Sequence, residues 1–428
     1  MYLNGVVNNP SDGFTRNEKT ESYIANVTLD FENKYYLNGT FNRDASSRFV
    51  NEKWGNFYAI GGAWIMSKED FLQSADAINF LKLKASYGVI GNSDTDGSYG
   101  GLYPGYNIYS INNLNNNISL AFAVRGNADL TWESSNQFNT GLEFELFNFV
   151  DASVEYYRKT TTDMFFTRNV GPSNGFATIQ VNDGEMLNSG VEFDLDFKVV
   201  NTPKFRLNVG INGQLLNNEL VALPIDPTTG EEQRFDQEGS YGRTAGRSLY
   251  DWYMPVYAGV NSDNGAAQWE RYFDDVDNNG EYGSGDVIIT SLTGYQNDNP
   301  DATIVQDITE VYAEAADRFV DKTAIPDISG AFRLNASYGG FTLSALFNYS
   351  LTKSDFLALN NIRLGFDMPT TFVERMGLKN LNLFVTGDNL ALWSQRTGFN
   401  PSTSVTGNSN IYTYSPLSTI VFGVNLTL

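Results

Sequence analysis

The sequence contains no cysteine and no histidine. Without thiols there is no disulfide framework, no thiol nucleophile and no thiolate zinc site. Without imidazole, Ser-His-Asp and Cys-His catalysis and most transition-metal sites drop out. No stretch approaches 18 uninterrupted apolar residues, so no helix of the usual kind crosses a membrane. Basic residues are scarce: 28 Lys and Arg face 50 Asp and Glu in 428 residues, a net charge of −22. That field repels phosphate backbones and excludes nucleic acid as a partner. The first residues, Met1-Tyr2-Leu3-Asn4-Gly5, lack a basic-then-apolar pattern, so a targeting segment is expected outside this sequence. What survives is carboxylate chemistry, hard-cation binding and non-enzymatic work.

The chain is rich in aromatics, with 24 Tyr and 30 Phe, and its polar remainder is dominated by Asn, Ser, Thr and Gly. This composition is too apolar for disorder and suits strands and turns. The dominant pattern has period two. In Val191-Glu192-Phe193-Asp194-Leu195-Asp196-Phe197-Lys198-Val199 every apolar side chain falls on one face and every charge on the other. The same alternation marks Leu142 to Leu146, Phe205 to Asn212, Phe332 to Tyr338 and Phe341 to Ala345. Several such runs reach about 9 to 11 residues, the length of a tilted strand crossing a bilayer.

Short turns are predicted at Glu32-Asn33-Lys34, Phe147-Asn148-Phe149, Asn201-Thr202-Pro203 and Gly339-Gly340. Long polar segments run from Asp44 to Lys53, Asn92 to Asp129, Arg168 to Asn188, Asn218 to Thr244 and Gln395 to Ser418. Short and long connections alternate, which in a meander collects the short turns at one end and the long loops at the other. Transmembrane β-barrels have this asymmetry. Met66 to Phe80 and Thr370 to Asn380 can each hold a helical turn. The expected fold is all-β: an antiparallel transmembrane β-barrel with about 14 or 15 strands. With no linker or composition shift, residues 1–428 read as one barrel domain. A soluble sandwich or propeller is the competing architecture.

Ordered motifs resemble one family. Leu81-Lys82-Leu83-Lys84-Ala85-Ser86-Tyr87-Gly88-Val89-Ile90-Gly91-Asn92 is similar to the LKLRASYGxxGN strand of SusC/RagA-type TonB-dependent outer-membrane transporters. Arg43-Asp44-Ala45-Ser46-Ser47-Arg48-Phe49, Asn127-Ala128-Asp129-Leu130-Thr131-Trp132-Glu133, Glu155 to Asp163, Phe356 to Pro369 and Gly387-Asp388-Asn389-Leu390 follow in that family's order. The resemblance implies the C-terminal portion of a plugged barrel of 22 strands, the plug lying outside this sequence. It also implies energised, non-enzymatic import of a glycan or peptide across the outer membrane of a Bacteroidota-type bacterium. A SusD-like lipoprotein lid and the TonB–ExbB–ExbD complex would be its partners, and no cofactor is required. A surface-exposed carbohydrate-binding or adhesive β protein is the alternative. One departure is that a strand ending near Leu351 runs almost directly into one beginning at Ser354, where the family has a long loop.

Two constellations carry chemistry. Residues 275–286 fit the calcium-loop template D-x-[DN]-x-[DN]-G-x5-E with Asp in the final place. Asp275, Asp277, Asn279, Glu281 through its carbonyl, and Asp286 can surround a hard cation while Gly280 permits the sharp turn. The other reading is an acidic β-turn. The second constellation is aromatic: Tyr99, Tyr103, Tyr106 and Tyr109 in one long loop, and Trp252, Tyr253, Tyr257 and Trp269 near another. Tyr103, Tyr106, Tyr109, Trp252 and Trp269 are the candidate substrate contacts, through stacking on a sugar or peptide. The competing reading is an interfacial aromatic girdle. Adjacent acids such as Asp274-Asp275 or Glu231-Glu232 are expected by chance in so acidic a chain and do not indicate a hydrolase.

Overall fold

The computed structural model describes residues 17–95, 103–114, 117–170, 175–176, 178–226, 230–351, 355–394 and 416–427. Thirteen strands form one antiparallel meander in strict chain order. They are β1 Thr20–Phe31, β2 Tyr35–Ser46, β3 Trp54–Ile65, β4 Ile78–Asn92, β5 Glu133–Leu146, β6 Val150–Thr162 and β7 Glu185–Asn201. The run continues with β8 Phe205–Ala222, β9 Ile328–Tyr338, β10 Phe341–Leu351, β11 Phe356–Asp367, β12 Asn380–Ser394 and β13 Thr419–Thr427. Thirteen is slightly fewer than the 14 or 15 expected; shorter strands of the β4–β5, β6–β7 and β8–β9 connections pair among themselves and not with this sheet. Every transmembrane-length strand reads all-β and antiparallel, as the periodicity requires.

The predicted short turns all fall at one end of the sheet. Glu32 and Asn33 (φ 55° and 52°), Phe147 and Asn148 (55° and 51°), and Gly339 and Gly340 (55° and 89°) are left-handed pairs. Two successive positive φ values match the right-handed strand twist and make tight hairpins. At the same end, the β3–β4 connection holds a 3-10 turn, Met66–Lys68, and the β11–β12 connection a short helix, Thr370–Val373. The helical turns fall where the sequence places them. At the other end lie the long connections, the largest being residues 223–327 between β8 and β9. Of the β10–β11 connection only Asp355 is among the described residues.

The register sorts side chains into rows. Leu81, Phe144, Ala152, Leu195, Ile211, Phe332, Phe347 and Leu359 lie opposite one another across eight strands. The adjacent row is Lys82, Glu143, Ser153, Asp194, Asn212, Ala331, Asn348 and Ala358. Directly opposed residues share a face, so one face is apolar and the other polar. The apolar face is open: Val27, Leu29 and Phe31 on β1 are 55–63% exposed. A contiguous apolar surface of this extent needs an apolar medium rather than water.

The polar face is knit by ion pairs across strands. Lys84 bridges Glu143 at 3.2 Å and Glu155 at 2.8 Å; Lys198 bridges Glu145 at 3.0 Å and Asp151 at 2.9 Å. Conventional hydrophobic cores form instead at the long-loop end, where Phe49, Leu130, Tyr253, Phe273 and Ile289 are buried. The sheet thus has ion pairs on its polar face and its dry cores outside it, the inverse of a soluble sandwich.

Candidate functional site

Residues 223–327 fold into two small antiparallel sheets instead of a plain loop. One joins Asp236–Glu238, Tyr241–Arg243, Asp251–Pro255 and Asp317–Thr323. The other joins Tyr257–Val260, Ala267–Asp274, Val287–Ile289 and Ile304–Thr309. The sequence reading ends this long segment at Thr244; strands of three to eight residues are too short to print a period.

The acidic loop follows the strand Ala267–Asp274. Asp275, Asp277 and Asp286 each offer a carboxylate oxygen, and these lie within 4.8 Å of one another. Asp275 is buried and accepts hydrogen bonds from the backbone N–H groups of Asn279 (3.0 Å) and Gly280 (2.8 Å). Asn279 donates from its amide to Asp277 at 2.8 Å. The Asp286 carboxylate accepts from the Gly283 N–H at 2.7 Å and the Val276 N–H at 3.1 Å. Gly280 has φ 81°, the left-handed turn the template requires. The Glu281 side chain is exposed, which leaves its carbonyl as its contribution. No Lys or Arg forms a salt bridge with Asp275, Asp277 or Asp286 among the described residues.

Arg271 couples this loop to the sheet beneath. Its guanidinium lies 4.1 Å from the Tyr282 ring centroid and pairs with Asp307 and, at 2.9 Å, with Glu314. Tyr282 in turn packs edge-on against the buried Phe273. On the opposite face, Arg318 clamps Glu270 with Nε–Oε2 at 2.6 Å and Nη2–Oε1 at 3.1 Å. Those donated hydrogen bonds hold the Glu270 carboxyl below its ordinary range. Burial pushes the Asp251 carboxyl up, with Arg247 partly opposing it.

The candidate aromatic contacts occupy different settings. Tyr103 is tied through its hydroxyl to the backbone of Asn17, while Tyr106 and Tyr109 are about half exposed. Tyr99 and the side chains of the Asn-rich tract 112–117 lie outside the described residues. Trp252 packs on Tyr241 with ring centroids 4.7 Å apart. Trp269 stands between Tyr257 and Tyr312, at 5.7 Å and 4.9 Å, both near-perpendicular. Tyr312 was not among the sequence candidates. It reaches Trp269 through the pairing of Ala267–Asp274 with Ile304–Thr309, and no local pattern signals that.

An amphipathic antiparallel meander with its short turns at one end and folded excursions at the other is the architecture of an outer-membrane β-barrel. A family model described as "TonB dependent receptor-like, beta-barrel" matches residues 2–390, and the chain belongs to that family. Its members are transporters, not enzymes, of the outer membrane. The TonB-dependent receptor P39 of Formosa agariphila is 26% identical across 95% of this chain and 46% of that protein. The TonB-dependent receptor SusC of Bacteroides thetaiotaomicron is 25% identical across 81% of this chain and 37% of its own length. The chain thus spans about half the length, or less, of these curated relatives. Among solved structures, the RagAB peptide importer in its closed-closed state superposes with a TM-score of 0.77 at 22% identity. That likeness covers 96% of this chain and 48% of the other, and it shows the fold.

Proposed function

We propose that this chain is the C-terminal barrel portion of an importer that takes a bulky nutrient, a glycan or a peptide, across the outer membrane. TonB–ExbB–ExbD would supply the energy and a SusD-like lipoprotein would cap the long-loop end. The observation that carries this reading is the segregation of the molecule. A polar, ion-paired face suits a solvated interior, and the only large folded excursion among the described residues sits at the mouth. β1 and β13 lie at the two edges of the sheet, and strands of a longer chain would pair with them. Uptake of labelled peptides and oligosaccharides by cells with and without the gene tests the reading. Substrate-specific uptake that stops on collapse of the proton-motive force supports import; unchanged uptake in the deletion strain refutes it.

We also infer that the 275–286 loop holds a calcium ion of low affinity. Hard oxygen donors converge there, and no Lys or Arg among the described residues forms a salt bridge with Asp275, Asp277 or Asp286, so the donor set fits. Extracellular calcium modules work at about 10⁻⁴ to 10⁻³ M. Of the aromatic candidates, Tyr106 and Tyr109 keep about half of their surface open and are the better substrate contacts, while Trp269 is packed between Tyr257 and Tyr312. Tyr103 and Trp252 are partly committed to their neighbours.

A further inference from the structure

The 223–327 excursion carries 21 Asp and Glu against six Lys and Arg, a net charge of −15 out of −22 for the whole chain. Four of those six cations, Arg243, Arg247, Arg271 and Arg318, are already in salt bridges with acids of the same excursion. On this acidic body lies an open aromatic face. Tyr257 is 54% and Tyr312 60% exposed, and both flank Trp269, with Val260 and Val311 extending the apolar surface. Glu310 stands at its margin. It accepts from the Asn264 amide at 3.0 and 3.2 Å and from Asn261, and no cation forms a salt bridge with it among the described residues.

We propose that this face is a capture site for cationic peptides, with a ligand Lys or Arg stacking on the Tyr257–Trp269–Tyr312 rings and pairing with Glu310. Ring faces attract cations through their quadrupole, and a neighbouring carboxylate adds direct attraction. The surrounding field raises the local concentration of positive ligands and repels polyanions. The occupant is therefore a basic peptide segment and not an acidic glycan. This deepens the import reading and rests on it, since capture at the mouth is useful only ahead of transport.

The test uses the protein purified from the outer membrane in detergent with whatever partners accompany it. Three probes are titrated: a 12-residue peptide with Lys or Arg at alternate positions, its Glu-substituted counterpart, and a neutral cello-oligosaccharide. The basic peptide should bind about tenfold tighter than the acidic one, and the difference should shrink as salt rises. Tyr312→Ala and Glu310→Gln, both at exposed positions, should each weaken it about three- to tenfold while leaving heat resistance in detergent unchanged. Equal binding of the two peptides, binding only of the oligosaccharide, or unaltered affinity in both variants would each overturn the proposal. Loss of a co-purifying lid with peptide affinity intact would reassign the face to that partner and also overturn it. Uptake is scored separately: peptide bound at this face but not imported would leave the site standing and remove the import reading.

Discussion

Replacing Gly210 by alanine should destabilise the sheet, against the usual sign for a strand glycine. In an ordinary strand that change is favourable by about 0.5 to 1 kcal/mol, because glycine loses more backbone freedom on folding. Gly210 on β8 lies directly between Asp196 on β7 and Arg333 on β9. The Arg333 guanidinium crosses β8 over this glycine to reach two carboxylates. Its Nη1 lies 3.2 Å from Asp194 Oδ2, its Nη2 lies 2.9 Å from Asp196 Oδ2, and it makes a further contact with Asp194 Oδ1. A Cβ at position 210 would sit 2.7 Å from Arg333 Nε and closer still to Asp196 Oδ1. The side chains are a third to a half accessible, so solvent screens the network and its loss should cost about 1 to 2 kcal/mol. Displacing it for a methyl group adds strain, giving about 1 to 3 kcal/mol for Gly210→Ala. Arg333→Met should cost about 1 to 2 kcal/mol by leaving two acids without their cation. The assay is urea unfolding in detergent micelles, comparing midpoints at constant slope. Because the methyl group and the guanidinium compete for one space, the double variant should cost at least about 0.5 kcal/mol less than the sum. A Gly210→Ala midpoint equal to or above wild type, or strict additivity, would refute the crossing.

Three further expectations follow from the same geometry. Single cysteines at Glu192, Asp194, Asp196 and Lys198 should react with a water-soluble thiol reagent far faster than those at Val191, Phe193, Leu195 and Phe197; equal rates would remove the two-faced assignment of β7. Val199 sits at the register shift between Lys198 and Val200 and should not follow the alternation. Calcium should raise the thermal midpoint of the wild type at millimolar concentration and chelator reverse it, both effects being lost in Asp277→Ala; an identical chelator response in the two proteins reduces the loop to an acidic turn. Arg318 lowers the folded-state pKa of Glu270 from its ordinary 4.5, so that stabilisation is complete above this value and disappears as pH falls through the lowered one. The gap in urea midpoint between wild type and Glu270→Gln should therefore narrow from pH 7 to pH 3, and a constant gap would sink the clamp.

What could be read from the chain depended on the range of the physics that sets each feature. Alternation is a property of neighbours in sequence, so β7 and its partners were legible from Val191 to Phe197, and the failure begins at the Lys198/Val200 bulge, where one extra residue breaks the period. Turn chemistry is equally local: the Glu32-Asn33 and Gly339-Gly340 pairs marked their hairpins because few residues tolerate two successive positive φ values. The convergence of Asp275, Asp277 and Asp286 could be anticipated because all three lie within 275–286, and the fold brings their carboxylates together.

The remainder depends on contacts between segments far apart in sequence. Gly210 looked like one glycine among many; only the register of three strands places Asp196 and Arg333 on either side of it. Tyr312 joins Trp269 because Ala267–Asp274 and Ile304–Thr309 pair across the acidic loop and the short helix Leu292–Asp298, and neither strand is long enough to show a period. The charge asymmetry could be counted in the sequence, but only the fold gives the bounds of the excursion that carries it. A net −22 spread evenly would be a statement about solubility, but −15 on one folded excursion is a statement about what that end of the molecule attracts. The aromatic residues divide by the same criterion. Tyr253 and Phe273 disappear into the small cores, whereas Tyr257 and Tyr312 keep half or more of their surface beside Glu310, a carboxylate without a salt-bridge partner among the described residues. Exposed rings on an acidic body lose apolar surface to water without gain unless something covers them, and the charge beside them decides the sign of what does.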